Sequence, residues 1–274
     1  MSDRFSGKVV LIIGASMGVG AAAARAFARE GARLVLVARG REALDRIAAE
    51  LAGATEVVAE CVDMADAAGC EAMIERVVQR FGRIDVLVNN AALHVRGPFE
   101  QIATGDIERM VEVNLTAPLR LMRWVLPHML RAGGGSMVNV ASLSGVAALP
   151  GAAAYSGTKF GLRGFCFAFA EEVRDRNISV SLVSPGPIDT SFLMDNLDVA
   201  EDLSFSQPLS TAEDVAAAIV HAASGPSTEI ALPRMSARLA TLAYLFPPLA
   251  RRLRPVLRRK GARAKERYRQ LRQR

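Results

Sequence analysis

Residues 11–20 read LIIGASMGVG, and four alanines follow at 21–24. An apolar run stops at Gly14, and further glycines stand at 18 and 20. Taken alone, the turn reads either as a phosphate cradle or as a flexible bend. Its spacing departs from G-x-G-x-x-G, and Ile13 sits where a polar residue is expected. The surroundings narrow the choice. KVVLII (8–13) has the short, β-branched form of a strand, and an Ala/Arg-rich helical pattern runs on to about Glu30. Between a strand and a helix, Gly14 permits a tight turn. Gly18 and Gly20 let backbone N–H groups approach a pyrophosphate and let the helix pack closely on the sheet. The helix N-terminus adds partial positive charge.

The alternation continues along the chain. RLVLVA (33–38), TEVVAECV (55–62), IDVLVN (84–89), SMVNVA (136–141), ISVSLVS (178–184) and a weaker STEIAL (227–232) read as strands. Helical patterns separate them, one starting near Arg41 and another over Ala65–Phe81. Runs that are apolar on both faces suit parallel strands covered on both sides. Helices between them imply right-handed crossovers. The expected fold is α/β: a three-layer, doubly wound sheet of seven parallel strands with helices on both faces. It occupies residues 1–232, with a substrate lid at about 187–210 and a C-terminal extension over 233–274.

Composition excludes several classes. With 51% hydrophobic residues among 274, the chain can bury a large core, and global disorder is ruled out. Aromatics are only 5%, so that core is aliphatic and alanine-rich. Cys61, Cys70 and Cys166 form no C-x-x-C pair and have no histidine partner at metal spacing, which predicts reduced thiols, a cytoplasmic setting and no metal. No run of 18 uncharged apolar residues predicts a spanning helix, and the early apolar run is a strand, not a signal peptide. Net charge is +6. From Arg251 onward, however, the chain carries 12 of its 34 basic residues and one of its 28 acids, leaving 22 basic and 27 acidic residues before it. A mildly acidic body carries a strongly basic tail.

The chemistry concentrates in AAYSGTKFGL, where Tyr155 and Lys159 share one helix face. An ammonium near a phenol favours phenolate and suits the tyrosine to acid–base work at a carbonyl or alcohol. An ordinary pair on a solvated face has the same spacing. The neighbours favour chemistry. Ser142 ends one predicted strand, NNAA (89–92) ends another, and Asn114 interrupts a helical pattern where asparagine is a poor choice. Gly14, Asn90, Ser142 and Pro185-Gly186 all fall at the carboxyl ends of strands, where such sheets bind ligands.

This ordered set resembles the short-chain dehydrogenase/reductase family. The family's T-G-x-x-x-G-x-G reads here IGASMGVG, its N-N-A-G reads NNAA, its Y-x-x-x-K reads YSGTK, and its P-G-x-x-x-T reads PGPIDT (185–190). The resemblance spans about residues 7–232 and implies a Rossmann fold with hydride transfer to or from a nicotinamide. It implies Asn114, Ser142, Tyr155 and Lys159 as the catalytic set. Tyr155 would exchange a proton with the substrate oxygen, Lys159 would lower its pKa and hold the ribose, Ser142 would bond the carbonyl, and Asn114 would anchor a water. Around the glycine turn it implies cofactor contacts at Gly14, Ser16, Met17, Gly18, Val19 and Gly20. Asp63 and Met64 would meet the adenine side, with Asn90 and Ala91 beside them. Ile188, through its backbone, and Thr190 would orient the carboxamide, with Pro185 and Gly186 as further cofactor contacts. Ile13 and Ala92 depart from the family's threonine and glycine.

Charge selects the nicotinamide. Ala38-Arg39-Gly40-Arg41 follows the second strand with no acid before Glu42. Arg39 therefore favours the 2′-phosphate of NADPH over NADH, while neutral Met17 leaves room for an incomplete preference. Phe192, Leu193 and other apolar residues of the lid, with Leu143 and Leu149 opposite, predict a lipophilic carbonyl or alcohol substrate; packing within the lid is the alternative. A 3-oxoacyl-carrier-protein reductase and a non-catalytic NADP-binding regulator are the competing functions. Apolar residues at 239, 242, 245, 246, 249 and 253, kinked at Pro247-Pro248 and followed by arginines, suit an anionic membrane surface. A subunit contact or a pocket wall fits the same pattern. Scarce aromatics argue against nucleic acid. The family resemblance further implies a homodimer or homotetramer, through the helices carrying Asn114 and Tyr155.

Overall fold

The computed structural model describes residues 3–190 and 201–272, so Phe192, Leu193, Met194 and Leu197 lie outside the described residues. The strands are β1 (Val9–Ile13), β2 (Arg33–Ala38), β3 (Val57–Cys61), β4 (Val86–Asn89), β5 (Gly135–Val140), β6 (Ile178–Pro185) and β7 (Glu229–Leu232). Helices α1 (Gly18–Arg29), α2 (Arg41–Leu51), α3 (Ala67–Phe81), α4 (Thr104–Val111), α5 (Ala117–Arg131) and α6 (Ala153–Glu172) come before β6. After it come α7 (Ala212–Ala223), α8 (Arg234–Leu245) and α9 (Pro247–Arg272).

All strand pairs are parallel, in the order β3-β2-β1-β4-β5-β6-β7 of one seven-stranded sheet. Period-two alternation divides the core. Val10 and Ile12 face one layer with Leu34, Leu36 and the buried alanines 21–24 of α1. Val9, Leu11 and Ile13 face the other with Val35, Val37 and Met73, Ile74 and Val77 of α3. Ile13, unexpected by the motif, is a core residue at 2% exposure. The order reverses between β1 and β4, and the crevice opens there.

Helix starts differ in a way that matters. Asp66 caps α3 by accepting from the Gly69 N–H at 3.0 Å. Thr211 and Asp214 form a reciprocal capping box on α7. Helix α1 follows Met17 with no side-chain cap, so its first N–H groups remain for another acceptor.

Two features depart from the sequence reading. The helical pattern around Asn114 contains a π-helical turn, Glu112–Thr116, between α4 and α5, a deviation that frequently marks functional sites. The tail is not a free extension. Phe246 leaves helical geometry and the chain restarts at Pro247, so α8 and α9 form two rods and not one kinked helix. Helix α9 packs back on residues 202–206. The closest approach is at Gly261, where an added Cβ would lie 1.8 Å from the Asp202 carbonyl oxygen. Arg258–Glu201 and Lys265–Asp202 ion pairs flank that contact. Among the described residues, no helix is long and apolar enough to cross a membrane.

Candidate active site

A cavity of about 1010 Å³ runs along the carboxyl edge of the sheet, from Arg39 past Gly14 and Gly18 to Tyr155, and on to α8 and α9. Its nucleotide half is built by the glycine turn. Gly14 adopts φ +80, and an added Cβ would come within 2.8 Å of the Ala91 backbone. A Cβ on Gly20 would lie 1.9 Å from the Gly14 carbonyl oxygen, so that glycine serves close packing of α1 on the turn and does not line the cavity. Asn90 locks the crevice by donating from Nδ2 to Gly14 O at 3.0 Å. Ser16, Met17, Gly18, Val19 and Arg39 line this half. Asp63, Met64, Asn90 and Ala91 line it too. Asp63 accepts from the Ala65 N–H and pairs with Arg109, a cavity residue that the motif did not flag. The uncapped start of α1, the exposed Arg39 and this open channel fit a phosphate-bearing dinucleotide.

The reacting half rests on α6. Tyr155, Lys159, Leu162 and Cys166 are buried on one face. The turn after β5 presses against it: a Cβ on Gly145 would lie 2.7 Å from the Lys159 carbonyl oxygen. This close approach brings Ser142 to Tyr155. The Ser142 Oγ accepts from the Ser144 N–H at 3.1 Å and also hydrogen-bonds the phenol. Lys159 Nζ donates to Val140 O at 2.9 Å and stands 5.7 Å from the centre of the Tyr155 ring.

The charge on Tyr155 differs from expectation. Burial raises the phenol's pKa; the Ser142 hydrogen bond and then the charge of Arg96 oppose it. Lys159 is not among the opposing groups, because its ammonium turns to the Val140 carbonyl and is itself pulled by burial down to about 8. Arg96 and His94 were missed by the motifs. His94 stacks on the Tyr155 ring at 3.9 Å between centroids and 8° between planes. Burial, then Arg96 and Lys159, pull the imidazole down to about 3, so it is neutral. The signal was available: both residues follow NNAA at the carboxyl end of β4.

Asn114 does not line the cavity. It is fully buried at the π turn and clasps the loop after β4. Its Oδ1 accepts from the Leu93 N–H at 2.7 Å, and its Nδ2 donates to Leu93 O at 2.7 Å and to Thr158 Oγ1 at 3.3 Å.

Pro185, Gly186, Ile188 and Thr190 form the wall after β6, where Ile188 pairs with Ser210. Leu143, Leu149 and Leu203 line the far end, but Phe205 does not. It packs with Leu209, Ala264 and Tyr268 beneath α9, because α9 supplies it an apolar partner. The remaining wall comes from the extension: Leu239, Leu242, Phe246, Leu249, Leu253 and Leu257 roof the chamber. The pocket-wall reading of the tail fits these lining residues of α8 and α9.

The sheet order, the glycine turn and the Ser142–Tyr155–Lys159 grouping define a dinucleotide-binding oxidoreductase fold. The family model for short chain dehydrogenase matches residues 8–200, and the chain belongs to that family of NAD(P)-dependent oxidoreductases. It is 34% identical over 232 residues to the 3-oxoacyl-[acyl-carrier-protein] reductase of Thermotoga maritima, covering 83% of this chain and 94% of that one. It is 38% identical over 183 residues to the D-threitol dehydrogenase of Mycolicibacterium smegmatis, covering 66% and 70%. A solved metagenomic short-chain oxidoreductase in complex with NADP superposes with a TM-score of 0.72 at 31% identity, over 83% of this chain and 98% of that one.

Proposed function

We propose that the protein is an NADPH-dependent reductase of lipophilic ketones or aldehydes, running as an alcohol dehydrogenase in reverse. The observation that carries this reading is the Ser142–Tyr155 hydrogen-bonding pair on the floor of a chamber roofed by leucines from α8 and α9. Bound nicotinamide supplies or accepts the hydride. Tyr155 passes its proton to the substrate oxygen, and Ser142 donates a hydrogen bond that stabilises the developing alkoxide. Lys159 holds the ribose side of the cofactor. Asn114 keeps the loop carrying His94 in register by clasping Leu93. Arg39, with no acid in Ala38-Arg39-Gly40-Arg41, supports NADPH over NADH.

The test is Tyr155→Phe. Wild-type protein should oxidise NADPH with an apolar ketone, and the variant should bind NADPH but lose turnover by at least about a thousandfold, the upper range of acid–base catalysis with positioning. Equal rates would refute the assignment. A regulator without turnover is disfavoured because Ser142, Tyr155 and Lys159 remain together.

A second reading concerns location. Tyr244, Leu245 and Val256 are exposed on α8–α9 and do not line the chamber, and Arg251, Arg252 and Arg259 are exposed on α9, which supports peripheral docking on an anionic membrane. Full-length protein that fails to sediment with anionic vesicles would end that reading. Exposed Val111, Leu130 and Phe167 on the helices around Asn114 and Tyr155 support a homodimer or homotetramer.

A further inference from the structure

The reductase reading leaves the charge of the substrate open, and Arg96 bears on it. Most of the chamber beyond Tyr155 is apolar, yet Arg96 lines it. Among the described residues it has no ion pair or hydrogen bond. The other cations of the cavity differ: Arg109 pairs with Asp63, Lys159 bonds Val140 O, Arg39 stands at the nucleotide end, and Arg254 is a half-buried residue of the α9 roof.

The backbone holding Arg96 is fixed on both sides. Val95 N–H donates to the Met110 sulfur at 3.4 Å, and Gly97 N–H donates to Gly151 O at 3.0 Å. Two residues earlier, His94 lies flat on the Tyr155 ring. Arg96 therefore stays beside the reacting phenol, and burial pulls its pKa below the ordinary arginine value. A desolvated guanidinium without a carboxylate destabilises the empty protein, and an anion that enters the chamber offsets that cost.

We propose that Arg96 is a specificity-determining residue that binds a carboxylate on the substrate, so that the preferred substrate is an apolar oxo acid and not a neutral ketone. The guanidinium would take the carboxylate through charge-assisted hydrogen bonds, while the leucines of α8 and α9 cover the hydrocarbon. This rests on the reductase reading for turnover but not for binding, and the experiment separates the two.

Binding comes first. Decanoate and methyl decanoate are titrated calorimetrically into full-length wild type, Arg96→Gln and Arg96→Lys, each saturated with NADPH. Arg96→Gln should weaken decanoate by about 10- to 100-fold, the range of a lost charged hydrogen bond, and leave the ester unchanged. Arg96→Lys should recover part of the loss. In parallel, kcat/KM is measured for 2-, 4- and 5-oxodecanoate and their methyl esters. The acid-to-ester ratio should fall by a similar factor in Arg96→Gln, through KM more than kcat, for the isomer whose oxo group reaches Tyr155. Ester turnover in both proteins reports an intact fold. If no oxo compound is reduced by wild type, the reductase reading fails while the decanoate titration still decides the role of Arg96. Decanoate affinity unchanged by Arg96→Gln, or acid and ester weakened equally, overturns the proposal.

Discussion

Replacing Lys159 by methionine should stabilise the empty protein at neutral pH, although the residue belongs to the reacting set. Lys159 is 2% exposed, and its ammonium faces a backbone carbonyl and no carboxylate among the described residues. Burial lowers its pKa from 10.5 to about 8. At about 1.36 kcal/mol per pH unit, that fall corresponds to roughly 3 kcal/mol of destabilisation. The unfolded chain holds the proton up to about pH 10.5, whereas the folded chain releases it from about pH 8. The burden is therefore full below pH 8 and lifts as pH rises toward 10.5. Methionine removes the charge but leaves the Val140 carbonyl without its donor, at a cost of about 1–3 kcal/mol.

The net gain for Lys159→Met is then about 1 kcal/mol at pH 7, and the order reverses near pH 9 as the wild-type lysine neutralises. Absolute curves also contain two buried thiols. Burial pushes Cys70 up to about 11 and Cys166 up to about 12. Their protonated forms hold stability that is lost as pH climbs from 9 through those values, for Cys70 in both proteins alike, whereas the Lys159 charge holds Cys166 down in the wild type only. The informative quantity is the difference between variant and wild type. Urea unfolding of both, without nucleotide, at half-unit steps from pH 7 to 10.5 measures it. A difference that stays flat with pH refutes the argument.

Three further outcomes follow from named contacts. Gly261→Ala raises helix propensity by about 1 kcal/mol, yet its Cβ would lie 1.8 Å from Asp202 O; thermal melts should fall and proteolysis of α9 should rise, and a higher melting temperature would mean that α9 does not dock there. Asn114→Ala orphans both backbone groups of Leu93 and should cost roughly 2–4 kcal/mol in urea unfolding, with turnover falling further as His94 and Arg96 shift; a loss below 1 kcal/mol would contradict the clasp. Arg39→Asp should move the NADPH-to-NADH ratio of kcat/KM toward NADH by about tenfold or more, one phosphate contact being worth roughly 1.4 kcal/mol; an unchanged ratio would assign Arg39 to adenine stacking.

The sheet was legible because its information is local. The inner parallel strands are buried on both faces, so their residues must be apolar whatever packs on them, and all seven strands begin and end within two residues of the runs read from KVVLII, RLVLVA and their kin. The glycine turn was legible for the same reason, since Gly14 and Gly20 answer to backbone approaches that admit no Cβ. Asn114 announced itself by being out of place in a helix, but its task did not, because its partner Leu93 is distant in sequence. The tail was legible only as a set of alternatives, a pocket wall among them. Its leucines satisfy a membrane, a subunit or a cavity equally well, and the fold-back that sets them beside the cavity turns on a bare α-carbon at Gly261 meeting Asp202. Neither residue carries a motif. The packing of Phe205 was hidden for the corresponding reason: only the fold-back of α9 gives it Tyr268 as a neighbour.

Charge gives these pieces a common logic. The cavity is lined by Arg39, Arg96, Arg109, Lys159 and Arg254, against one acid, Asp63, which Arg109 already holds. In the empty protein the burial of these cations is a cost, visible in the pKa values of Lys159 and Arg96, which burial depresses. A polyanionic dinucleotide at one end and a carboxylate at the other would each offset part of it. Each bound anion also lowers the positive potential that the other meets, so direct coupling between the two ligands opposes joint binding and is weakest where they share no cation. Arg39 and Arg96 stand at opposite ends of the channel, past Gly18 and Tyr155 respectively, so they are not shared. Lys159, between them, is the cation whose proton both ligands would influence, and its placement against Val140 O rather than against a carboxylate keeps that proton exchangeable near pH 8.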